Sequence, residues 1–409
     1  MRFKIIYSLY VIVCLLYPVL LIIGPISLRH FFTVIILGLC IFEKGLVFDK
    51  FLKWFFIFMF FSSIGALVTG YVGEFLNRFL GTYFAAITMY MATKIMIKKY
   101  NGGMWILIVI LIIAVLNAVT AIGQFYGSPI ATYLPMLLRI NIDADLIDFY
   151  ERTTDFQGKY VGGLLGIVLS GYFLAGTCVL ALYNGKGTTK VYNWLLFALL
   201  FFALFLVQER SGFAAAILCT AVYMVINAAK SKNMILGMIL VAIVGVFVVL
   251  NYGERLVNID KMRYSTMGFS DYGRVSLARV GLNYFLENPL GGIDAYHAAG
   301  NRDPHNIFVN VFLHGGLFGG LVALGIIITQ IYKVAKVLYK SYTKKNSHSL
   351  FLNACCIAYL SYIINTFFHN VSMFSGDIMF FILWGMINGN LELEKADTRI
   401  PIQRSKFIF

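Results

Sequence analysis

About twelve long apolar runs divide this chain and leave little polar sequence between them. A membrane-spanning helix needs roughly 20 apolar residues, with a range of about 17–25. Hydrophobic residues make up 60% of the 409 residues and charged residues only 13%, and a soluble core cannot enclose so much apolar surface. We therefore expect an all-α polytopic membrane protein, one integral membrane domain over 1–409, with spans near 5–23, 28–42, 51–71, 79–97, 104–125, 160–182, 191–207, 212–229, 234–251, 307–332, 350–368 and 374–390.

The charged residues between these runs predict which ends face the cytoplasm, because cytoplasmic loops carry an excess of Lys and Arg. With both termini cytoplasmic, 21 of the 33 basic residues lie inside and 12 lie outside. The acidic residues divide the other way, with 5 of 19 inside and 14 outside. Membrane topology therefore accounts for the net charge of +14, which is not evidence for nucleic-acid binding.

The outer basic residues differ from the inner ones in kind. Ten of the twelve outer residues are Arg, whereas eighteen of the 21 inner residues are Lys. A guanidinium can bind phosphate oxygens through two parallel hydrogen bonds, so the set favours an outward-facing phosphate site. For any single Arg, anchoring to lipid headgroups or pairing with an outer acid is the alternative.

Two outer stretches are long, residues 126–159 and residues 251–306, but neither is large enough to form a soluble domain. Within the second, residues 271–287 predict an amphipathic helix that carries Arg274 on its first turn. Its apolar stripe would hold Val275, Ala278, Leu282 and Phe285, which recur at helical spacing, and it could lie flat on the membrane surface.

Two histidines lie close to the start of the tenth span. His305 falls at the headgroup boundary, where an imidazole can titrate near neutral pH and act as a base; an interfacial histidine bonded to water is the alternative. His314 lies deeper and is expected to pack or to form a hydrogen bond. The small residues from Gly315 to Gly320 predict close helix packing.

Several of these elements together resemble the O-antigen ligase/polymerase superfamily. In that family a periplasmic Arg precedes an Asn-Pro-x-x-Gly element, and a His-Asn pair is then followed by nine residues and Gly-x-x-Gly. Here Arg274, the segment 288–292 and the pair His305-Asn306 with Gly316 and Gly319 fit that order. The short segment 209–212 is similar to a second Arg element of the family. The resemblance covers roughly residues 160–330.

The resemblance implies an enzyme that transfers or polymerises glycans on undecaprenyl diphosphate, at the outer face of the bacterial inner membrane. Arg210 and Arg274 would stabilise the departing diphosphate, and His305 would be the general base. Neither a metal nor another cofactor is expected. The expected partners are the lipid-linked oligosaccharide, membrane lipid and a chain-length regulator protein. Further diphosphate- or substrate-binding residues would be Arg279, Asn306 and Arg152.

Several functions remain open at this point. A Wzy-type polymerase is favoured because only about thirty residues separate Arg274 from His305, and a ligase that transfers glycan to a lipid A core is the alternative. A metal-dependent transferase would use Asp143 and Asp145. A lipid-linked oligosaccharide flippase or a transporter would bind its substrate near the midplane, where the spans carry no charged residue and only His314 can ionise.

Overall fold

Helices make up most of the described chain. The structure, a computed structural model, describes residues 2–16, 21–23, 26–43, 48–138, 161–183, 190–207, 209–227, 271–304, 306–343, 349–368 and 372–397. Two short antiparallel strands, β1 (Leu21–Ile23) and β2 (Ile26–Ser27), are the exception among them. The helices before residue 140 are α1 (Arg2–Leu16), α2 (Leu28–Phe42), α3 (Lys50–Thr69), α4 (Val72–Arg78), α5 (Phe84–Tyr100), α6 (Gly103–Phe125) and α7 (Pro129–Leu138).

The second part of the chain holds the outer elements. Its helices are α8 (Ile167–Ala181), α9 (Val191–Val207), α10 (Arg210–Asn227), α11 (Asp271–Glu287), α12 (Ile293–Ala298), α13 (Ile307–Thr343), α14 (Leu350–Thr366) and α15 (Ile378–Asp397). A short 3-10 turn at Met373–Ser375 precedes the last of them.

The chain is a multi-pass membrane protein. Four helical segments are long and apolar enough to cross a membrane, namely α3, α6, α13 and the continuous segment Val72–Tyr100. Shorter apolar helices accompany them at α2, α8, α9, α10 and α14. The span predicted near 234–251 lies outside the described residues, so the count of twelve stays a prediction.

The ends of the helices follow local capping rules. The Asp49 carboxylate accepts the backbone amide of Leu52 at 3.1 Å and so begins α3, and Gly70 ends that helix in the left-handed conformation. Only residues 70–71 separate α3 from α4, which begins at Val72. The sequence predicts that the residues between 71 and 79 form an outer hairpin rather than a helix. In the structure α4 runs through a π-helical turn, Phe79–Tyr83, into α5.

Aromatic side chains fill the core where α3 meets the 3-10 turn and α15. Phe55 packs edge-on against Phe381 with ring centroids 5.3 Å apart, and Phe58 packs against Phe374 at 4.8 Å. All four rings are buried. Edge-to-face contacts of this kind stabilise the packing beyond the apolar area they bury.

Several ion pairs in the described part of the chain join residues that the predicted topology places on one side. Lys94 lies 2.7 Å from Asp49 and 2.7 Å from Glu392, all on the predicted inner side. Arg78 and Asp294, on the predicted outer side, are 2.6 Å apart. These pairs support the predicted grouping of the loops.

Candidate functional site

The three positions predicted to be catalytic lie next to described elements on the predicted outer side. Arg210 is the first residue of α10, and Arg274 lies in the first turn of α11. The side chains of both fall outside the described residues. His305 and Arg152 lie outside the described residues altogether. The structure does describe the backbone at Arg210 and Arg274 and the residues on both sides of position 305.

The start of α10 lies directly against α8. A Cβ added to Gly212 would lie 2.8 Å from the carbonyl oxygen of Gly171, so the two helix backbones touch at this point. Glu209 is buried in the same contact, and its carboxylate accepts the hydroxyl of Ser211 at 2.9 Å. The position of Arg210 is thus fixed on both sides by close packing.

Two amides of α6 hold the irregular segment that leads into α8. Gln124 accepts the backbone amides of Gly162 and Gly163 at 3.0 and 2.8 Å. Asn117 accepts the backbone amide of Leu164 at 2.7 Å. Irregular backbone at membrane depth must have its polar groups satisfied within the protein, and these side chains do so. These hydrogen bonds fix the segment that leads into α8, the helix against which α10 packs.

Helix α11 packs on the start of α13 through a face that includes Phe285 of the predicted stripe but is centred on Gly281. A Cβ added to Gly281 would lie 2.9 Å from Val309, and the Phe285 ring lies 5.1 Å from that of Phe312. Leu282, predicted to be in the stripe, is 47% exposed. The glycine decides the contact, because its lack of a side chain lets the two helices approach most closely there.

Arg279 is exposed on α11. It follows Arg274 by five residues, which in an α-helix corresponds to about 140° of rotation. The two positions therefore lie on different sides of the helix. Arg279 is consequently the weaker candidate for the phosphate site that Arg274 is predicted to form.

The turn that follows α11 bridges a break in α13. Gly316 adopts φ 62° and ψ −165°, which interrupts the helix. In a continuous helix the Leu317 amide would donate to the Leu313 carbonyl. Here Leu317 donates to the carbonyl of Pro289 at 2.8 Å, and the Leu313 carbonyl accepts the amide of Gly292 at 3.0 Å. The Asn-Pro-Leu-Gly-Gly turn thus takes the place of a helical hydrogen bond.

Small residues make this bridge possible. A Cβ on Gly291 would lie 2.6 Å from the amide nitrogen of Gly316, and a Cβ on Gly65 of α3 would lie 2.7 Å from the carbonyl oxygen of Leu290. The turn is therefore held between α3 and α13. The sequence predicts close helix packing for the glycines from Gly315 to Gly320. Gly319 does face α3, whereas Gly316 accommodates the turn that follows α11.

The backbone on both sides of position 305 is anchored to α13. The side-chain amide of Asn310 donates to the carbonyl of Pro304 at 2.8 Å. The side-chain oxygen of Asn306 accepts the amide of Phe308 at 2.9 Å and begins the helix. The predicted binding residue Asn306 therefore has a helix-capping role, which uses its oxygen.

Four charged or titratable residues near this loop form what we call the outer polar cluster: Arg78, Asp294, His297 and Asp303. Arg78 lies 2.6 Å from Asp294, and the His297 Nε2 lies 2.6 Å from an oxygen of Asp303. Burial raises the pKa of Asp294, and the hydrogen bond to Asp303 raises the pKa of His297. No sequence motif marks these pairs, although Asp294 and His297 have the three-residue spacing of one helix face.

His314 lies beneath the outer polar cluster and is buried. Its Nδ1 lies 3.5 Å from the hydroxyl of Tyr83, which donates to the carbonyl of Phe374 at 2.6 Å. The guanidinium of Arg78 lies 6.0 Å from the centre of the Tyr83 ring. These contacts give His314 the packing or hydrogen-bonding role that its position deeper in the tenth predicted span indicates.

No cluster of His, Cys, Asp and Glu within the described ranges could hold a metal ion. The rival metal site of Asp143 and Asp145 falls outside the described residues.

Comparison with known proteins identifies the central part of the chain. Residues 195–324 match the family model described as O-antigen ligase. No curated protein and no solved structure matches the chain. The matched segment runs from α9 into α13 and includes the turn that bridges the break at Gly316. Over this segment the chain is similar to the O-antigen ligase/polymerase superfamily.

Proposed function

We propose that this protein is a membrane glycosyltransferase that polymerises glycan repeat units carried on undecaprenyl diphosphate, at the outer face of the bacterial inner membrane. The observation that carries the proposal is that Arg210, Arg274 and His305 all fall within the segment that matches the family. Arg210 begins α10, Arg274 lies in the first turn of α11, and position 305 comes just before α13 in the chain.

In the proposed reaction an acceptor sugar hydroxyl attacks the anomeric carbon of the donor glycan. The new glycosidic bond forms as the bond from that carbon to the diphosphate oxygen breaks. The bonding electron pair leaves with undecaprenyl diphosphate, and the hydroxyl proton passes to His305. Arg210 and Arg274 stabilise the negative charge that develops on the diphosphate.

A ligase is the second candidate, because the matching family model is itself described as O-antigen ligase. The two functions differ in the acceptor: a polymerase joins one lipid-linked unit to another, whereas a ligase transfers glycan to a lipid A core. Deleting a polymerase leaves single repeat units on the final acceptor. Deleting a ligase leaves glycan on the lipid carrier, and deleting a flippase leaves repeat units on the inner leaflet.

The sharpest test of the proposed chemistry is the substitution His305→Asn. Asparagine keeps hydrogen-bonding capacity but cannot accept a proton near neutral pH, so we expect product formation to stop while lipid-linked repeat units accumulate. Membranes that hold the full chain are assayed with lipid-linked units extracted from a deletion strain, both with and without EDTA, so that any dependence on a metal is also detected.

His314→Ala is the matched control for this substitution, because it removes a histidine that the structure buries against Tyr83. It should lower protein abundance and total product together, leaving the activity per molecule closer to that of the wild type. Full activity in His305→Asn would show that the proton goes elsewhere, and loss of all activity in EDTA would favour the metal-dependent alternative.

A further inference from the structure

The ion pair between His297 and Asp303 joins the short helix α12 to the loop that enters α13. The two side chains are 45% and 29% exposed, and pairs of this exposure contribute only about 0–1 kcal/mol to stability. The fold of this region depends more on Tyr296, which is buried and donates its hydroxyl to the carbonyl of Arg302 at 2.9 Å. Variants of the ion pair should therefore still fold.

The pair completes the anchoring of the loop. Hydrogen bonds hold Pro304 and Asn306 to the start of α13. The ion pair with His297 holds Asp303, the residue before Pro304, to α12. Position 305 follows Asp303 by two residues, so covalent geometry keeps their Cα atoms within about 7 Å. A change in the position of Asp303 is therefore passed to position 305 over one intervening residue.

We propose that His297 and Asp303 are positioning residues for glycosyl transfer, whose ion pair holds residues 299–304 in the arrangement that the reaction requires. The proposal rests on the proposed function. A loop misplaced by about 1 Å can slow an enzyme by up to about a hundredfold, so a weak exposed contact can have a large effect on rate.

The surroundings of His297 make the pair sensitive to pH. The Asp303 carboxylate raises the pKa of His297 first, and Asp294 raises it further. Because the pKa is raised, the ion pair is fully present below the ordinary histidine pKa and is lost as pH rises through the raised value. The groups facing His297 are Asp303 from the loop, Asp294 and Tyr296 from α12, Arg78 from α4 and His314 from α13.

The test compares His297→Ala with His297→Lys in membranes that hold the full chain, using lipid-linked repeat units from a deletion strain. We expect His297→Ala to lower kcat about ten- to a hundredfold with little change in KM. His297→Lys keeps a cation for Asp303 and should retain most of kcat. The wild-type rate should fall as His297 loses its proton, whereas the lysine variant should hold its rate to higher pH, because the lysine pKa is about 10.4.

The control variant is Lys98→Gln, which removes an ion pair to Glu392 of similar exposure, 39% and 34%, on the opposite side. It should change neither kcat nor the pH profile. Wild-type kcat and an unchanged pH profile in His297→Ala would overturn the proposal.

A second measurement does not depend on what the protein transfers. Arg302 is exposed within the anchored loop, so trypsin cleavage after it reports how firmly the loop is held. Cleavage should be faster in His297→Ala than in the wild type or in His297→Lys. Equal cleavage in all three would overturn the anchoring role, even if glycosyl transfer is confirmed. If His305→Asn keeps full activity, the proposed base is wrong. Faster cleavage in His297→Ala would still support the anchoring role of the ion pair.

Discussion

At the scale of single residues, the predicted site depends on guanidinium groups rather than on positive charge alone. A lysine ammonium keeps the charge but cannot form two parallel hydrogen bonds with a diphosphate. We therefore expect Arg210→Lys and Arg274→Lys each to lose most transfer activity, about tenfold or more, at unchanged abundance. Product formed per unit of protein in membranes is the measurement.

Arg279→Lys provides the comparison within α11, since Arg279 is exposed and its position lies about 140° around the helix from position 274. Its activity should fall much less. If lysine were tolerated at both Arg210 and Arg274, two-pronged binding of the diphosphate at these positions would be wrong.

The sequence identifies candidate residues only where a single position carries the signal. His314 is buried as its depth in the tenth span predicts, and Arg274 lies in a helix at the expected place. The outer polar cluster could not be found in this way. Arg78 and Asp294 are 216 positions apart, and only the fold brings them together.

At the scale of secondary-structure elements, the break in α13 makes a prediction about Gly316. Alanine there would require a positive φ and would place a Cβ 2.8 Å from the Leu290 Cα. Backbone strain and overpacking together should lower the free energy of unfolding by about 2–5 kcal/mol. Thermal unfolding in detergent and protein abundance are the measurements.

Gly325→Ala is the matched control in the same helix, because nothing lies within 4 Å of a Cβ added at Gly325. It should be neutral or slightly stabilising, by up to about 1 kcal/mol. Equal losses in the two variants would indicate a general sensitivity of α13, and no special role for the bridged break.

The location of most elements follows from apolar run length, whereas the faces they bury do not. The helix Asp271–Glu287 lies where the apolar spacing and the Asn-Pro stop predict it. Its contact with α13 is centred on Gly281. A sequence pattern based on apolar side chains does not include glycine, so it cannot predict this contact. The same limit applies to Gly316, whose role depends on a partner turn rather than on neighbouring helices.

At the scale of the whole molecule, the distribution of basic residues predicts sidedness. A cysteine introduced near Asp294, at the exposed Ala299, should react with membrane-impermeant thiol reagents in intact spheroplasts, and one introduced near Lys344 should react only after the membrane is opened. The native cysteines are all buried and should give little background. The reverse labelling pattern would place every proposed catalytic residue in the cytoplasm and exclude the proposed donor.

The bridged break at Gly316 also makes α13 a lever. The segment from Leu317 to Thr343 is a rigid arm about 40 Å long, whose pivot is set by the Pro289 and Gly292 hydrogen bonds. A rotation of about 10° at the pivot moves the far end of such an arm by about 7 Å. A displacement of the turn that follows α11 by such a rotation would therefore be magnified at the far end of α13.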